Sequence, residues 1–427
     1  MSISLTATEA YKRLQLLFDD GVFTELDSLM STSVICGYGT VNGVEAYAFS
    51  ENINDGNGGI DAAHCKKTEK LYTLAAKTGR PVVGIYDSEG LSLTEPYEAM
   101  GAYGEVLKAA ADLSGVVPQL ALIAGTCVGT SALMAGLADV VVCTEYADYY
   151  ITAPSAVSAK ENAAAGTVDV LADSIETAVD SVRSVLSLLP ENNLSPVPET
   201  LYDAPVSADY GTVAAIADEG SAVFLKEAYA PETVTTLATV GGKTVGLISL
   251  GSQAVTPAAA YKAEALVRLC DAYQIPIITL ADTVGYEKGR ETALLSAMTR
   301  LTSAYTAATT PKISLITAQS VGGAYIAFAG KSANADITLA WNTAVVSPLT
   351  TEAAVAFLFG KRLADGENRA ALEEEYKTEH ACAERAAECG QVDAVIAPEE
   401  TRAQLIAVLE LLSSKRETTL PRKHTVK

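Results

Sequence analysis

The stretch LALIAGTCVGTSALMAGLAD, residues 120–139, decides how the chain is read. It opens as an apolar run of buried-strand character, turns at Gly129, and continues in small residues of helical character. A second stretch, ISLITAQSVGGAYIAFAG at 313–330, repeats the plan with its turn at Gly322 and Gly323. Each turn predicts a place where the first amides of a helix lack an intrahelical acceptor and can hold an anionic oxygen. One such turn alone is more often a close strand–helix crossing. Two at equivalent positions carry more weight.

Outward from these turns the chain keeps repeating itself. TSVICGYGTVNGVEAYAFSEN (32–52) alternates around Asn42-Gly43 and predicts a hairpin, as does LATVGGKTVGLISLGSQ (237–253) around Gly241-Gly242. PVVGIYD (81–87) matches IPIITLAD (275–282) as a buried strand. The offsets are 199 for the hairpins, about 195 for the strands and 193 for the turns. Ordered motifs at near-constant spacing indicate an internal duplication, too long for a solenoid repeat. The expected domains are 1–225 and 226–427, joined through a segment rich in Ala, Ser, Asp and Pro, with a loop at 188–200. Helices are expected over residues 5–30, where Thr8 could cap, over Ala62–Thr78, and over about Ala258–Tyr273.

Composition limits the function classes. With 49% apolar and 19% charged residues the chain is globular, not disordered. A net charge of −22 argues against nucleic acid, although a local cationic pocket can still take a small anion. The seven cysteines include no CxxC pair and read as small buried hydrophobes in a reducing compartment. No metal site is indicated. The N-terminus has no signal-peptide pattern, so a cytoplasmic protein is expected. Leu113–Ala138 is uncharged over 26 residues, but Pro118, Gln119 and four glycines make it a strand, turn and helix instead of a span.

At this point the chain resembles the biotin-dependent carboxyltransferases, the carboxyltransferase subunits of acyl-CoA carboxylases and biotin-dependent decarboxylases. CGYGTVNG is similar to the early hairpin of that family, and GNGGIDAAHCKKTEK to its glycine loop and His-containing helix. GRPVVGIYDSEG, SGVVPQLALIAGTCVGTSALMAGLAD and YITAPSAV follow in the family's order. So do VRLCDAYQIPIITLADTVGY, SVGGAYIAFAG, AAECGQVDAVIAPEETRAQL and the tail Arg422-Lys423-His424.

The resemblance implies an α/β fold of two tandem crotonase-like domains, each a superhelix of ββα units. It implies an acyl-CoA on the first half, and on the second half biotin carried by a separate protein. Carboxybiotin would decarboxylate, its ureido oxyanion would take a proton from the α-carbon, and the enolate would attack CO₂, with no metal. By resemblance the amides of Gly129, Thr130 and Ser131 hold the thioester oxyanion. Those of Gly322, Gly323 and Ala324 form the biotin turn. Ile326 would border the acyl pocket and favour a short acyl chain. The implied partners are a biotin carrier protein, a biotin carboxylase or membrane decarboxylase subunit, and further copies of the chain in a dimer or hexamer. The family usually shows Gly-Gly-Ala at the first turn, where this chain has Gly-Thr-Ser, and an arginine after the first-half strand, where it has DSEGLSLTEP.

Other residues compete for attention. Lys66, Lys67 and Lys70 could contact the phosphates of CoA, or could lie with His64 on a solvated helix face. Ser131 as a hydrolase nucleophile would need a histidine base, and only His64, His380 and His424 exist. Glu373-Glu374-Glu375 reads as a solvated face, and Asp87 and Asp282 as caps or turn formers. A decarboxylase α subunit, a crotonase-like hydratase or isomerase, and a non-catalytic assembly subunit are the alternative functions. The hydratase would require a placed acidic pair near the first turn.

Overall fold

Asn42 and Gly43 both adopt positive φ, at 51° and 79°, and Gly241 and Gly242 do the same at 61° and 81°. These are the backbone angles that match a two-residue turn to the twist of its strands. Each turn closes a hairpin of eight-residue strands, Val34–Val41 (β2) with Val44–Glu51 (β3), and Thr233–Val240 (β10) with Lys243–Leu250 (β11). The computed structural model describes residues 5–152, 157–331 and 335–417. The tail Arg422-Lys423-His424 and part of YITAPSAV lie outside the described residues.

The chain divides into two compact units, 1–198 with 223–229, and 199–222 with 230–427. The segment 199–222 therefore counts with the second unit, although it precedes the boundary expected at 225.

The first unit begins its sheet with Phe23–Leu26 (β1), antiparallel to β2. After the hairpin come Val82–Ser88 (β4), Gln119–Val128 (β5), Val140–Thr144 (β6), Asp148–Tyr150 (β7) and Val170–Ala172 (β8). The order is β1-β2-β3-β4-β5-β6-β8, with β7 pairing the far end of β5, and every pairing beyond the hairpin is parallel. The short strand Val223–Leu225 (β9) counts with the first unit, and the second unit then repeats the plan. Its strands are Ile277–Thr283 (β12), Lys312–Val321 (β13), Ile337–Trp341 (β14), Val345–Ser347 (β15) and Ala394–Ile396 (β16). They lie beside the hairpin in the order β10-β11-β12-β13-β14-β16, with β15 on the far end of β13. Even the irregularities agree: register slips after Tyr86 between β4 and β5, and after Ala281 between β12 and β13. Two parallel-rich sheets in a mixed α/β chain agree with the two tandem crotonase-like domains that the resemblance implies.

Helices form where the sequence supplies caps. Asp61 accepts the His64 amide at 2.7 Å to start Ala62–Thr78, and Gly79 closes it in the left-handed conformation. Thr256 accepts the Ala259 amide at 3.0 Å to start Pro257–Ala272. The helix expected over 5–30 is confined to Glu9–Leu17, capped by Thr8, and Phe23–Leu26 is the strand β1 instead. It stops because Phe18 turns extended, at φ −84° and ψ 147°; Asp20 and Gly21 then turn to positive φ, and β1 follows. The uncharged run at 113–138 is the end of a helix, β5, a turn and the helix Thr130–Ala135. Among the described residues no helix is long and apolar enough to cross a membrane.

Candidate active site

The first turn is fixed from below by a carboxylate. Asp87, buried at the end of β4, accepts the Thr126 amide of β5 at 3.1 Å and pairs with Arg13 at 2.8 Å. Its own amide donates to Glu51 at 2.9 Å. Gly125 is glycine because a Cβ there would run into the Asp87 carboxylate. Glu51 is 1% exposed, and burial pushes its carboxyl up to about 8. β5 then reaches Gly129, φ 62°, whose amide donates to the Tyr150 carbonyl of β7 at 3.0 Å.

The second turn has the same construction. Asp282 accepts the Gln319 amide at 3.2 Å, and burial raises its carboxyl above the usual range. Gly322, φ 61°, donates its amide to the Ser347 carbonyl of β15 at 2.8 Å. Asp87 and Asp282 are thus turn formers, each anchoring the strand that delivers a turn.

These bonds correct the expected donor sets. Gly129 and Gly322 shape the turns, but their amides are committed to carbonyls and cannot hold an oxyanion. The amides at the start of each following helical segment, Thr130 and Ser131 in one half and Gly323 and Ala324 in the other, have no intrahelical acceptor. Sequence reasoning missed a further pair. Ile60 bridges Leu91 in parallel, using Gly90 and Ser92 for its two hydrogen bonds, and Val255 bridges Tyr286 through Gly285 and Glu287. The backbone groups of Leu91 and Tyr286 therefore face away from those bridges. Only the repeated register, visible in three dimensions, singles them out.

The cationic candidates separate. Lys67 is 1% exposed and donates to Glu25 at 3.2 Å and to the Val34 carbonyl at 3.0 Å. It cannot reach a phosphate. Its counterpart Lys262 is also buried, donating to the Ala230 carbonyl at 3.3 Å, so a lysine on the inner helix face is a structural part of each half. Lys66 and Lys70 are exposed, with Lys70 paired to Asp27 at 2.6 Å. His64 is buried as well, which removes it from a solvated face. It meets the Ser33 hydroxyl at 3.0 Å, and burial depresses its pKa to about 3. Ser131 is fully buried beside Tyr103, and among the described residues it has no histidine partner to form a hydrolase triad. Of the glutamate run, Glu375 is bound by Arg362 at 2.6 Å. Five cysteines are buried as expected; Cys382 is half-buried and Cys389 exposed.

Beside the second turn lies a cavity of about 560 Å³, walled by Gly322, Gly323, Ile326, Pro348, Arg385 and Cys389 among others. Its size falls within the range of small-molecule sites. Ile326 is 55% exposed at its edge, not in the core. Arg385 is already paired with Glu388 at 2.7 Å. Among the described residues no group of three or more His, Cys, Asp or Glu side chains could hold a metal ion.

The carboxyl transferase domain model matches residues 8–426. The chain belongs to the carboxyl transferase family. Relatives of this carboxyltransferase include the methylmalonyl-CoA decarboxylase subunit alpha of Propionigenium modestum, 30% identical over 97% of this chain and 92% of that one. The propionyl-CoA carboxylase beta chain of Saccharopolyspora erythraea is 30% identical over 97% and 89%. Among solved structures, the transcarboxylase 12S hexamer with methylmalonyl-coenzyme A and methylmalonic acid bound superimposes with a TM-score of 0.91, at 28% identity, covering 97% of this chain and 91% of that one. The carboxyltransferase therefore acts in the chemistry of biotin-dependent acyl-CoA carboxylases and decarboxylases. Near the first turn Asp87 and Glu51 form an acidic pair, but both are engaged, Asp87 by the Thr126 amide and Arg13 and Glu51 by the Asp87 amide.

Proposed function

We propose that this carboxyltransferase moves a carboxyl group between biotin on a separate carrier protein and the α-carbon of a short acyl-CoA. The first half takes the acyl-CoA and the second takes biotin. The observation that carries this reading is the duplicated turn, in which a committed glycine amide is followed by two amides with no intrahelical acceptor. Two anionic oxygens develop in the reaction, and two such turns answer them.

Thr130 and Ser131 orient the thioester oxygen and draw charge toward it, so that the α-carbon gives up its proton more readily. Lys66 and Lys70 lie exposed on one helix and supply cations for the phosphates of CoA against the chain's negative field, with Lys70 exchanging Asp27 for a phosphate. The biotin ring is placed in the 560 Å³ cavity beside Gly322 and Gly323, where Ile326, Val346 and Pro348 offer it apolar contacts. Bound there, biotin supplies the carboxyl group and the base that removes the α-proton. No step calls for a metal.

The proposed partners are a biotin carrier protein with either a biotin carboxylase or a membrane decarboxylase subunit. We place the protein in the cytoplasm as a homo-oligomer, and its likeness to a 12S subunit that assembles as a hexamer favours six copies over two. The test is carboxyl exchange between malonyl-CoA or methylmalonyl-CoA and free biotin. Biotin-dependent exchange is expected. Biotin-independent decarboxylation, or no turnover of any CoA ester, would refute the reading. Light scattering at micromolar concentration should give a dimer or larger, and an active monomer would exclude shared sites.

A further inference from the structure

Gly322 and Gly323 are glycines for different reasons. Gly322 holds φ at 61°, where a side chain is strained; Gly323 is not among the positive-φ glycines. A Cβ on Gly323 would instead lie 2.8 Å from the Tyr286 hydroxyl oxygen and 2.9 Å from a ring carbon. The missing side chain makes room for a phenol.

The first half shows the converse. Leu91 stands where Tyr286 stands, by the matching bridges to Ile60 and Val255. Thr130 stands where Gly323 stands, one residue after the glycine bonded to β7 or β15. The residue that corresponds to Tyr286 has no hydroxyl, and the residue that corresponds to Gly323 carries a Cβ. The two differences occur together.

We propose that the Tyr286 hydroxyl is a third hydrogen-bond donor to the anionic oxygen held by Gly323 and Ala324, and so a catalytic residue of the second half. This rests on the reading of that turn as the biotin site. A Cβ position is roughly 2.5 Å from the amide nitrogen of its own residue. The hydroxyl therefore lies within about 5 Å of the Gly323 nitrogen, a span that one oxygen can bridge by accepting from both. Among the described residues the Tyr286 side chain makes no hydrogen bond, so its donor is uncommitted. A phenol keeps its proton at neutral pH, and burial raises its pKa further. The hydroxyl donates without giving up that proton, and no bond to Tyr286 forms or breaks.

The test is Tyr286→Phe, which keeps the ring and removes only the donor. Biotin-dependent exchange should fall about 10²-fold, the low end for loss of one oxyanion donor. Free biotin, titrated by calorimetry, should bind about fivefold more weakly. Malonyl-CoA affinity and melting temperature should not change. Gly323→Ala, which keeps the hydroxyl but displaces it, should also lower exchange. Wild-type exchange and biotin affinity in Tyr286→Phe, or wild-type exchange in Gly323→Ala, would overturn the assignment. Absence of exchange in the unmodified protein would instead overturn the biotin reading beneath it.

Discussion

The Gly322 amide donates to the Ser347 carbonyl at 2.8 Å, and this bond decides which amides the second turn can offer. With Gly322 committed, Gly323 and Ala324 are left to receive the biotin oxygen. Gly323→Val puts a branched side chain against the Tyr286 phenol, which must then move. Exchange should fall about 10²–10³-fold. Binding of malonyl-CoA, measured by calorimetry without biotin, should stay close to wild type. If CoA-ester affinity collapses while exchange survives, the two halves have the opposite assignments.

The lysines on the helix Ala62–Thr78 should divide by burial. Lys67 is bound inside to Glu25 and two backbone carbonyls. Lys67→Met should cost about 3–5 kcal/mol in chemical unfolding, because Glu25 loses its buried partner. Lys66→Ala should leave stability within about 0.5 kcal/mol and weaken CoA esters more than pantetheine esters, which lack the nucleotide phosphates. Equal losses for both esters would remove Lys66 from the phosphate site.

Glu51 should set a pH dependence of stability. Burial raises its carboxyl to about 8 in the native state, against about 4.3 in an unfolded chain. Below about pH 4 both states hold the proton. Between there and about 8 the unfolded chain releases a proton that the native state keeps, so this group lowers native stability as pH rises. Glu51→Gln still accepts the Asp87 amide but has no charge to bury. The variant and wild type should melt alike near pH 4, and the variant should melt progressively higher toward pH 8. A constant gap across that range would show that Glu51 does not titrate there.

Much of this was legible in the sequence because duplication makes each half a control for the other. The hairpins, the anchored strands and both glycine turns fall where periodicity and spacing place them. Lys67 was not legible: a Lys-Lys pair beside His64 reads as a charged surface, and only its burial against β2 shows the inner face. The committed amides of Gly129 and Gly322 depend on β7 and β15, three-residue strands too short to leave a pattern. Leu91 and Tyr286 sit in segments with no periodicity, and single bridges fix their place. Asn42-Gly43, by contrast, carries its turn type in two residues.

Ile326 provides the test of acyl specificity. It is 55% exposed and walls the cavity beside Gly323, so it is not held there by core packing. Ile326→Ala should therefore leave the melting temperature nearly unchanged, whereas truncating a buried isoleucine costs about 2–5 kcal/mol. If the residue borders the acyl group, its branched side chain fills space that a longer acyl chain would need. Acetyl-CoA should then be used as well as propionyl-CoA or better by the wild type, and butyryl-CoA poorly. Removing the branch should raise kcat/KM for the longer esters relative to acetyl-CoA by about 10–200-fold, the range that one methylene commands in an apolar pocket. The comparison of the three esters on both proteins separates the possibilities. A changed order at constant stability places Ile326 at the acyl chain. An unchanged order at constant stability means that its exposed face meets the carrier or another copy of the chain, and that the acyl group is measured by residues of the first half.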